Sequence, residues 1–136
     1  MPATQESTAP VVLLVDDSHD ERDMYTQQLV ATGYSVQVAD NGEDALQRVA
    51  AQVPDVVVMD LAMPVLDGWE ATRRLKETHP RVPVIVLSGH TGGEGGRKAK
   101  EAGGDVFLTK PFGPEALELA VRIVLKRRAE ADSPKP

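Results

Sequence analysis

Cysteine is absent from all 136 residues. That excludes disulfides and thiolate metal sites, and it fits a cytosolic chain. A basic excess is missing too: 15 Lys and Arg stand against 21 Asp and Glu, for a net charge of −6. Such a balance argues against nucleic acid or an acidic membrane surface as the partner of this chain. The opening "MPATQESTAP" has neither a basic region nor an apolar core, so no secretory signal is visible. No apolar run approaches the roughly 18 residues that cross a bilayer. The expected location is therefore cytoplasmic, with no membrane association.

What is present describes one ordinary globular domain. The chain is 41% hydrophobic and 26% charged, and its length suits a single core. Residues 1–10 and 129–136 are polar and proline-containing and read as flexible tails, leaving a domain over 11–128. Four short apolar runs punctuate that domain: "VVLLV" at 11–15, "VVVM" at 56–59, "VPVIVL" at 82–87 and "VFL" at 106–108. Continuous apolar runs suit strands buried on both faces of a parallel sheet. A fifth segment, "YSVQVAD", alternates apolar and polar residues, as an edge strand does.

The intervening segments carry helix signals. Ser18 with Glu21 forms a capping box, and Gly33 suits the position after a helix end. A second helix begins near Asn41 and places Ala45, Leu46, Val49 and Ala50 on one face. Asp67 is a candidate N-cap for a third, with Trp69, Thr72 and Leu75 inward and Pro80 beyond its end. The last begins at Gly113-Pro114, with Leu117, Ala120, Val121, Val124 and Leu125 at helical spacing. Strand and helix thus alternate five times. The expected fold is α/β, a doubly wound five-stranded parallel sheet with five helices on its two faces.

In such folds ligands bind beyond the carboxyl ends of the strands. The central runs end on Asp16 and Asp17, on Asp60, on Ser88 and on Lys110. Paired aspartates straight after a buried strand are otherwise hard to account for. Two carboxylates about 4 Å apart repel by roughly 4 kcal/mol at an effective dielectric near 20. Asp16, Asp17 and Asp60 with Lys110 leave a formal −2, which matches one divalent cation. An all-oxygen donor set suits Mg²⁺ or Mn²⁺ better than zinc. A carboxylate placed like Asp60 can act as a nucleophile toward phosphorus, with Lys110 and the metal neutralising the phosphoryl oxygens and Ser88 donating a hydrogen bond.

The segments "LLVDDSHDER", "VVVMDLAMPVLDGWEATRRLK", "VIVLSGH" and "GGDVFLTKPF", in that order and spacing, resemble a response-regulator receiver domain, the phosphoacceptor half of a two-component system. The resemblance runs from about residue 11 to 128. It implies the flavodoxin-like strand order 2-1-3-4-5. It implies that Asp60 is phosphorylated, and that Asp17, Asp60 and the backbone carbonyl of Ala62 hold Mg²⁺, with Asp16 assisting through water. Lys110 would pair with the phosphate, Ser88 would move toward it, and Phe107 would be an aromatic rotamer switch. His90 and Ala62 would tune the phosphate lifetime, and Lys110-Pro111 would be a cis bond. Phosphorylation would reshape the face made by the fourth helix, fifth strand and fifth helix.

The partners implied are a sensor histidine kinase or histidine phosphotransfer protein and a downstream protein target. No enzymatic turnover is expected beyond the domain's own phosphorylation and dephosphorylation. Because little sequence follows the fifth helix, a stand-alone receiver is expected. Plainer roles remain open at single positions. Ser88 could satisfy backbone groups at a strand end, Phe107 could be a fixed core aromatic, and His90 could be a solvated loop residue.

Two rival functions are a Mg²⁺-dependent hydrolase with an aspartate nucleophile and a non-phosphorylated module of the same fold. The first would ordinarily show D-x-D after the first strand where this chain has "DDS". The second would usually lack one of the acidic or lysine positions. One segment departs from the family pattern. Gly92, Gly93, Gly95 and Gly96 each cost a helix about 1 kcal/mol relative to alanine. Residues 91–96 are accordingly expected as loop or frayed turn, with a short fourth helix from Arg97 to about Gly103.

Overall fold

A computed structural model describes residues 9–61, 68–89 and 101–132. Five strands form one parallel sheet: β1 (Val11–Val15), β2 (Ser35–Ala39), β3 (Val56–Asp60), β4 (Val84–Ser88) and β5 (Val106–Thr109). Their order is β2-β1-β3-β4-β5, as the resemblance implied. Four helices are described: α1 (His19–Ala31), α2 (Gly42–Ala51), α3 (Gly68–Thr78) and α4 (Pro114–Asp132). Five were expected. The one placed after β4 falls mainly on residues 90–100, outside the described residues, as does the whole glycine segment 91–96. Glu101 and Ala102 are helical and lead to Gly103, whose φ is +107°.

The sheet sorts its side chains by parity. Leu13, Val15, Val57, Met59, Val84 and Val86 face one side and pack with Ala45 and Val49 of α2 and Ala71 and Leu75 of α3. Val12, Leu14, Val56, Val58, Ile85 and Leu87 face the other and pack with Tyr25 and Leu29 of α1 and Leu117, Val121 and Val124 of α4. Every residue of β3 is buried. That is why the "VVVM" run is apolar without alternation: a central parallel strand has no wet face.

β2 lies on one edge, as the sequence reading has it, but its burial does not alternate: Val36 and Gln37 are both half-buried and Val38 is exposed. β5 does alternate, which corrects the reading of "VFL" as a strand buried on both faces: it lies on the outer edge, with Val106 and Leu108 inward and Phe107 38% exposed. Pairing also starts later than expected in the fourth strand, at Val84, since Pro83 has no N–H to give a ladder.

Local chemistry sets the helix ends. Asn41 caps α2, its Oδ1 accepting from the Asp44 N–H at 2.8 Å. Gly33 follows the end of α1 at φ +104°, a left-handed conformation that glycine adopts cheaply. Ala50, expected on the buried face of α2, is exposed. Helix α4 runs to Asp132, four residues beyond the expected boundary at 128, so residues 129–132 are helix rather than tail. Among the described residues no helix is long and apolar enough to cross a membrane.

Candidate functional site

Three strand ends and one helix converge at the carboxyl edge of the sheet. Asp16 follows β1 and is fully buried; Asp17, next to it, is exposed. Asp60 is the last residue of β3 and is 5% exposed. One carboxylate oxygen from each of Asp16, Asp17 and Asp60 lies within 4.8 Å of the other two. The order β1-β3 explains this: neighbouring parallel strands end at the same level, so their terminal residues meet.

Lys110 follows β5 and reaches back over the cluster. Its backbone N–H donates to the Ser88 carbonyl at 2.7 Å, and the Lys110-Pro111 bond is cis, as implied by the resemblance. Phe112 then stacks on Tyr25 of α1, with centroids 5.7 Å apart and planes inclined by 15°. The ammonium sits 3.7 Å from Asp60 Oδ1 and 3.9 Å from Asp16 Oδ2. Among the described residues its nearest partner is one the sequence reading missed: Glu21 Oε1, at 2.5 Å. Burial disfavours the Lys110 charge, but the Glu21 hydrogen bond and the Asp60 and Asp16 carboxylates outweigh it and hold the ammonium above the ordinary lysine pKa.

The spacing predicts Glu21 as half of a capping box. Ser18 does cap α1, its Oγ accepting from the Glu21 N–H at 3.3 Å. The reciprocal bond is made by another residue: the Ser18 N–H donates to Asp16 Oδ1 at 2.8 Å. That frees the Glu21 side chain for Lys110. With Glu21 included, the formal charge of the cluster is −3 rather than the expected −2. The available signal was spacing: Glu21 and Tyr25 lie four apart on α1, one meeting Lys110 and the other Phe112.

Asp16 carries the electrostatic strain. Burial, and secondarily the Asp60 charge, push its carboxyl up to about 7 against the lowering effects of the Ser18 N–H and Lys110. Its Oδ1 is satisfied, whereas its buried Oδ2 has no hydrogen-bond partner. A buried, unsatisfied carboxylate oxygen facing two further carboxylates fits a hard divalent cation of the Mg²⁺ class.

Gly68 shapes the same edge from below. Its N–H donates to the Leu61 carbonyl at 3.2 Å, and a Cβ added there would lie 2.3 Å from the Asp60 carbonyl oxygen and 2.7 Å from Leu61 Cα. Both are backbone atoms and cannot swing away. Gly68→Ala is expected to cost about 1–3 kcal/mol by overpacking and to weaken Mg²⁺ binding, because the displaced backbone carries Asp60. Urea unfolding with and without Mg²⁺ would measure both; a variant indistinguishable from wild type would show that the contact relaxes freely.

The other expected site residues fall as follows. Ser88 ends β4 and is partly buried, its Cα paired with Thr109. Phe107 is exposed on the edge strand, so it is not the fixed core aromatic of the plainer reading. Trp69 packs against the α2–α3 side of the core. Ala62, His90 and Asp67 lie outside the described residues.

Known proteins share this fold. Residues 12–122 match the family model described as response regulator receiver domain. The response regulator MprA of Mycolicibacterium vanbaalenii is 37% identical over 121 residues, covering 89% of this chain and 52% of its own length. The chain thus spans about half the length of the curated relatives it matches. Among solved structures, the receiver domain of Francisella response regulator 1452 aligns with a TM-score of 0.82 at 33% identity, over 87% of this chain and 98% of that one. A response regulator structure from Chloroflexus aurantiacus, itself described as putative, aligns at 0.85 and 30% identity, over 88% and 100%.

Proposed function

This chain belongs to the response regulator receiver domain family, and from that premise we propose that Asp60 accepts a phosphoryl group from the phosphohistidine of a sensor histidine kinase or a histidine phosphotransfer protein. The observation that carries the reading is the convergence of Asp16, Asp17 and Asp60 within 4.8 Å, with the Lys110 ammonium 3.7 Å from Asp60 Oδ1.

In this reaction a carboxylate oxygen of Asp60 forms a bond to phosphorus as the phosphorus–nitrogen bond to the donor histidine breaks. The electron pair leaves with the imidazole. Asp16, Asp17 and Asp60, with the Ala62 carbonyl, would hold Mg²⁺ or Mn²⁺, which supplies positive charge against the phosphoryl oxygens when bound. The chain itself supplies position and charge. The strand ends fix Asp60. Lys110, held to β4 through its backbone and to α1 through Phe112, brings an ammonium to the phosphoryl group. Ser88 donates to a phosphoryl oxygen from the adjacent strand end. By resemblance to the family, His90 and Ala62 would tune the phosphate lifetime.

Phosphorylation replaces the single charge of the Asp60 carboxylate with the roughly −2 of a phosphoryl group, moved outward to its terminal oxygens, a net gain of about one negative charge at this edge. The response is transmitted through Ser88 and Phe107 to the surface of β5 and α4, where Leu119 and Ile123 are also exposed. A downstream protein reads that surface. The domain is used once per phosphoryl group and does not turn over a separate substrate. The longer relatives carry about as much chain again, and the Chloroflexus structure is matched over its full length; both lengths are compatible with this chemistry.

Incubation with acetyl phosphate and Mg²⁺ tests the reading. Intact mass should rise by one phosphoryl group per chain, labile to hydroxylamine and trapped by borohydride on the peptide containing Asp60. Repeated turnover of phosphate monoesters, or a label on another residue, would refute it.

A further inference from the structure

Among the described residues the Lys110 ammonium has three carboxylates in reach, and it sits closest to Glu21, which does not lie at a strand end. Glu21 Oε1 is 2.5 Å away, against 3.7 Å for Asp60 and 3.9 Å for Asp16. Glu21 lies in the first turn of α1, outside the cluster formed by the three aspartates. Its side chain is 39% exposed and that of Lys110 20%, so the pair sits at the mouth of the site, half shielded from water. One turn further along α1, Tyr25 stacks on Phe112, which fixes the segment bearing the lysine. Helix α1 therefore grips the Lys110–Phe112 segment twice, once by charge and once by an aromatic face.

We propose that Glu21 is a positioning residue that draws the Lys110 ammonium toward itself, so that it stands at 3.7 Å rather than in direct hydrogen-bond contact with Asp60 in the resting domain, and gives it up when a phosphoryl group occupies Asp60. The inference rests on the receiver reading of Asp60 given above. A lysine is a point charge on a flexible stem and can change partner without moving its backbone. A phosphoryl group on Asp60 replaces the one carboxylate charge near the lysine with about two, carried on three exposed oxygens within its reach. If Lys110 leaves Glu21, the resting ion pair is lost; if it bridges both, the Glu21 carboxylate stands against the new charge. Either way Glu21 favours the empty site. Its differential interaction with the two states shifts the equilibrium toward rest. The same contact links occupancy of Asp60 to the first turn of α1.

The test uses the full chain with Glu21→Gln, and Glu21→Ala as a second variant. Beryllofluoride is titrated into Mg²⁺-saturated protein, and its binding is followed through the fluorescence of Trp69, the only tryptophan. Both variants should bind it about threefold to tenfold more tightly, the range between an exposed and a half-buried ion pair. A purely structural role would not produce the second signature. The Lys110 ammonium should give a nitrogen-15 cross-peak in the resting wild type, through slowed proton exchange, and lose it in both variants. Unchanged or weaker beryllofluoride binding, or a cross-peak that survives in the variants, would overturn the proposal. Failure of the receiver reading looks different: beryllofluoride would then bind Asp60→Asn as well as wild type.

Discussion

Asp60→Asn should take up no phosphoryl group from acetyl phosphate under conditions in which the wild type takes up one per chain. The amide keeps the size and one acceptor oxygen but has no carboxylate oxygen with which to form the acyl phosphate. The same substitution should not weaken the fold. Asp60 raises the Asp16 carboxyl pKa through space, so removing its charge relieves a buried neighbour. The metal-free variant should melt at or above the wild-type temperature at pH 8, with a gain on the order of 1 kcal/mol for one screened carboxylate pair. Loss of labelling with retained or improved stability is the joint signature of a reactive, strained group. Loss of labelling together with a fall in melting temperature would mean that Asp60 mainly holds the strand end in place, and the phosphoacceptor assignment would lose its support.

Asp16→Asn should have a large effect on stability, and one that depends on pH. The folded Asp16 carboxyl titrates near 7, raised from 3.8, chiefly by burial. The native state therefore holds this proton more tightly than the unfolded chain does. Its stabilising contribution is complete below about pH 4 and is lost as pH rises to about 7. A displacement of that size corresponds to about 4 kcal/mol at most. Without metal, Asp16→Asn should match the wild type near pH 4 and exceed it by about 2–4 kcal/mol at pH 8. The asparagine oxygen can still accept from the Ser18 N–H. Saturating Mg²⁺ should reverse the order at pH 8, because it binds the native wild-type carboxylate and so stabilises it. Urea titrations of both proteins at pH 4, 6 and 8, with EDTA or Mg²⁺, decide the matter. A difference between the proteins that stays constant across pH would show that Asp16 does not titrate in this window.

Much of this architecture can be read from short runs of residues. The central strands announce themselves because β1, β3 and β4 are buried on both faces and so carry unbroken apolar runs. The acids Asp16, Asp17 and Asp60 stand out because nothing in strand formation asks for them. The reading fails where one residue serves two needs. "VFL" looks like a central strand, yet β5 is an edge, and a three-residue run cannot show alternation. Glu21 fits a capping box by spacing, but its side chain answers to Lys110, 89 positions away. No local pattern encodes that distance. The polar stretch "AEADSPKP" points to a helix end at 128. Polarity marks solvent exposure, however, and an exposed final turn is still helix.

The division of the interior into two layers has a consequence for tolerance to change. Leu13 and Leu14 are chain neighbours, but one packs toward α2 and α3 and the other toward α1 and α4. The sheet backbone separates their cavities. Truncating each to alanine would cost about 2–5 kcal/mol, and the two losses should simply sum. Leu14 and Leu29, 15 positions apart but in one layer, share packing neighbours and should couple. The two halves of the core can therefore drift in sequence independently of each other. The strand ends cannot: Asp16 and Asp60 lie where both layers stop, and a shift of either layer would reach them.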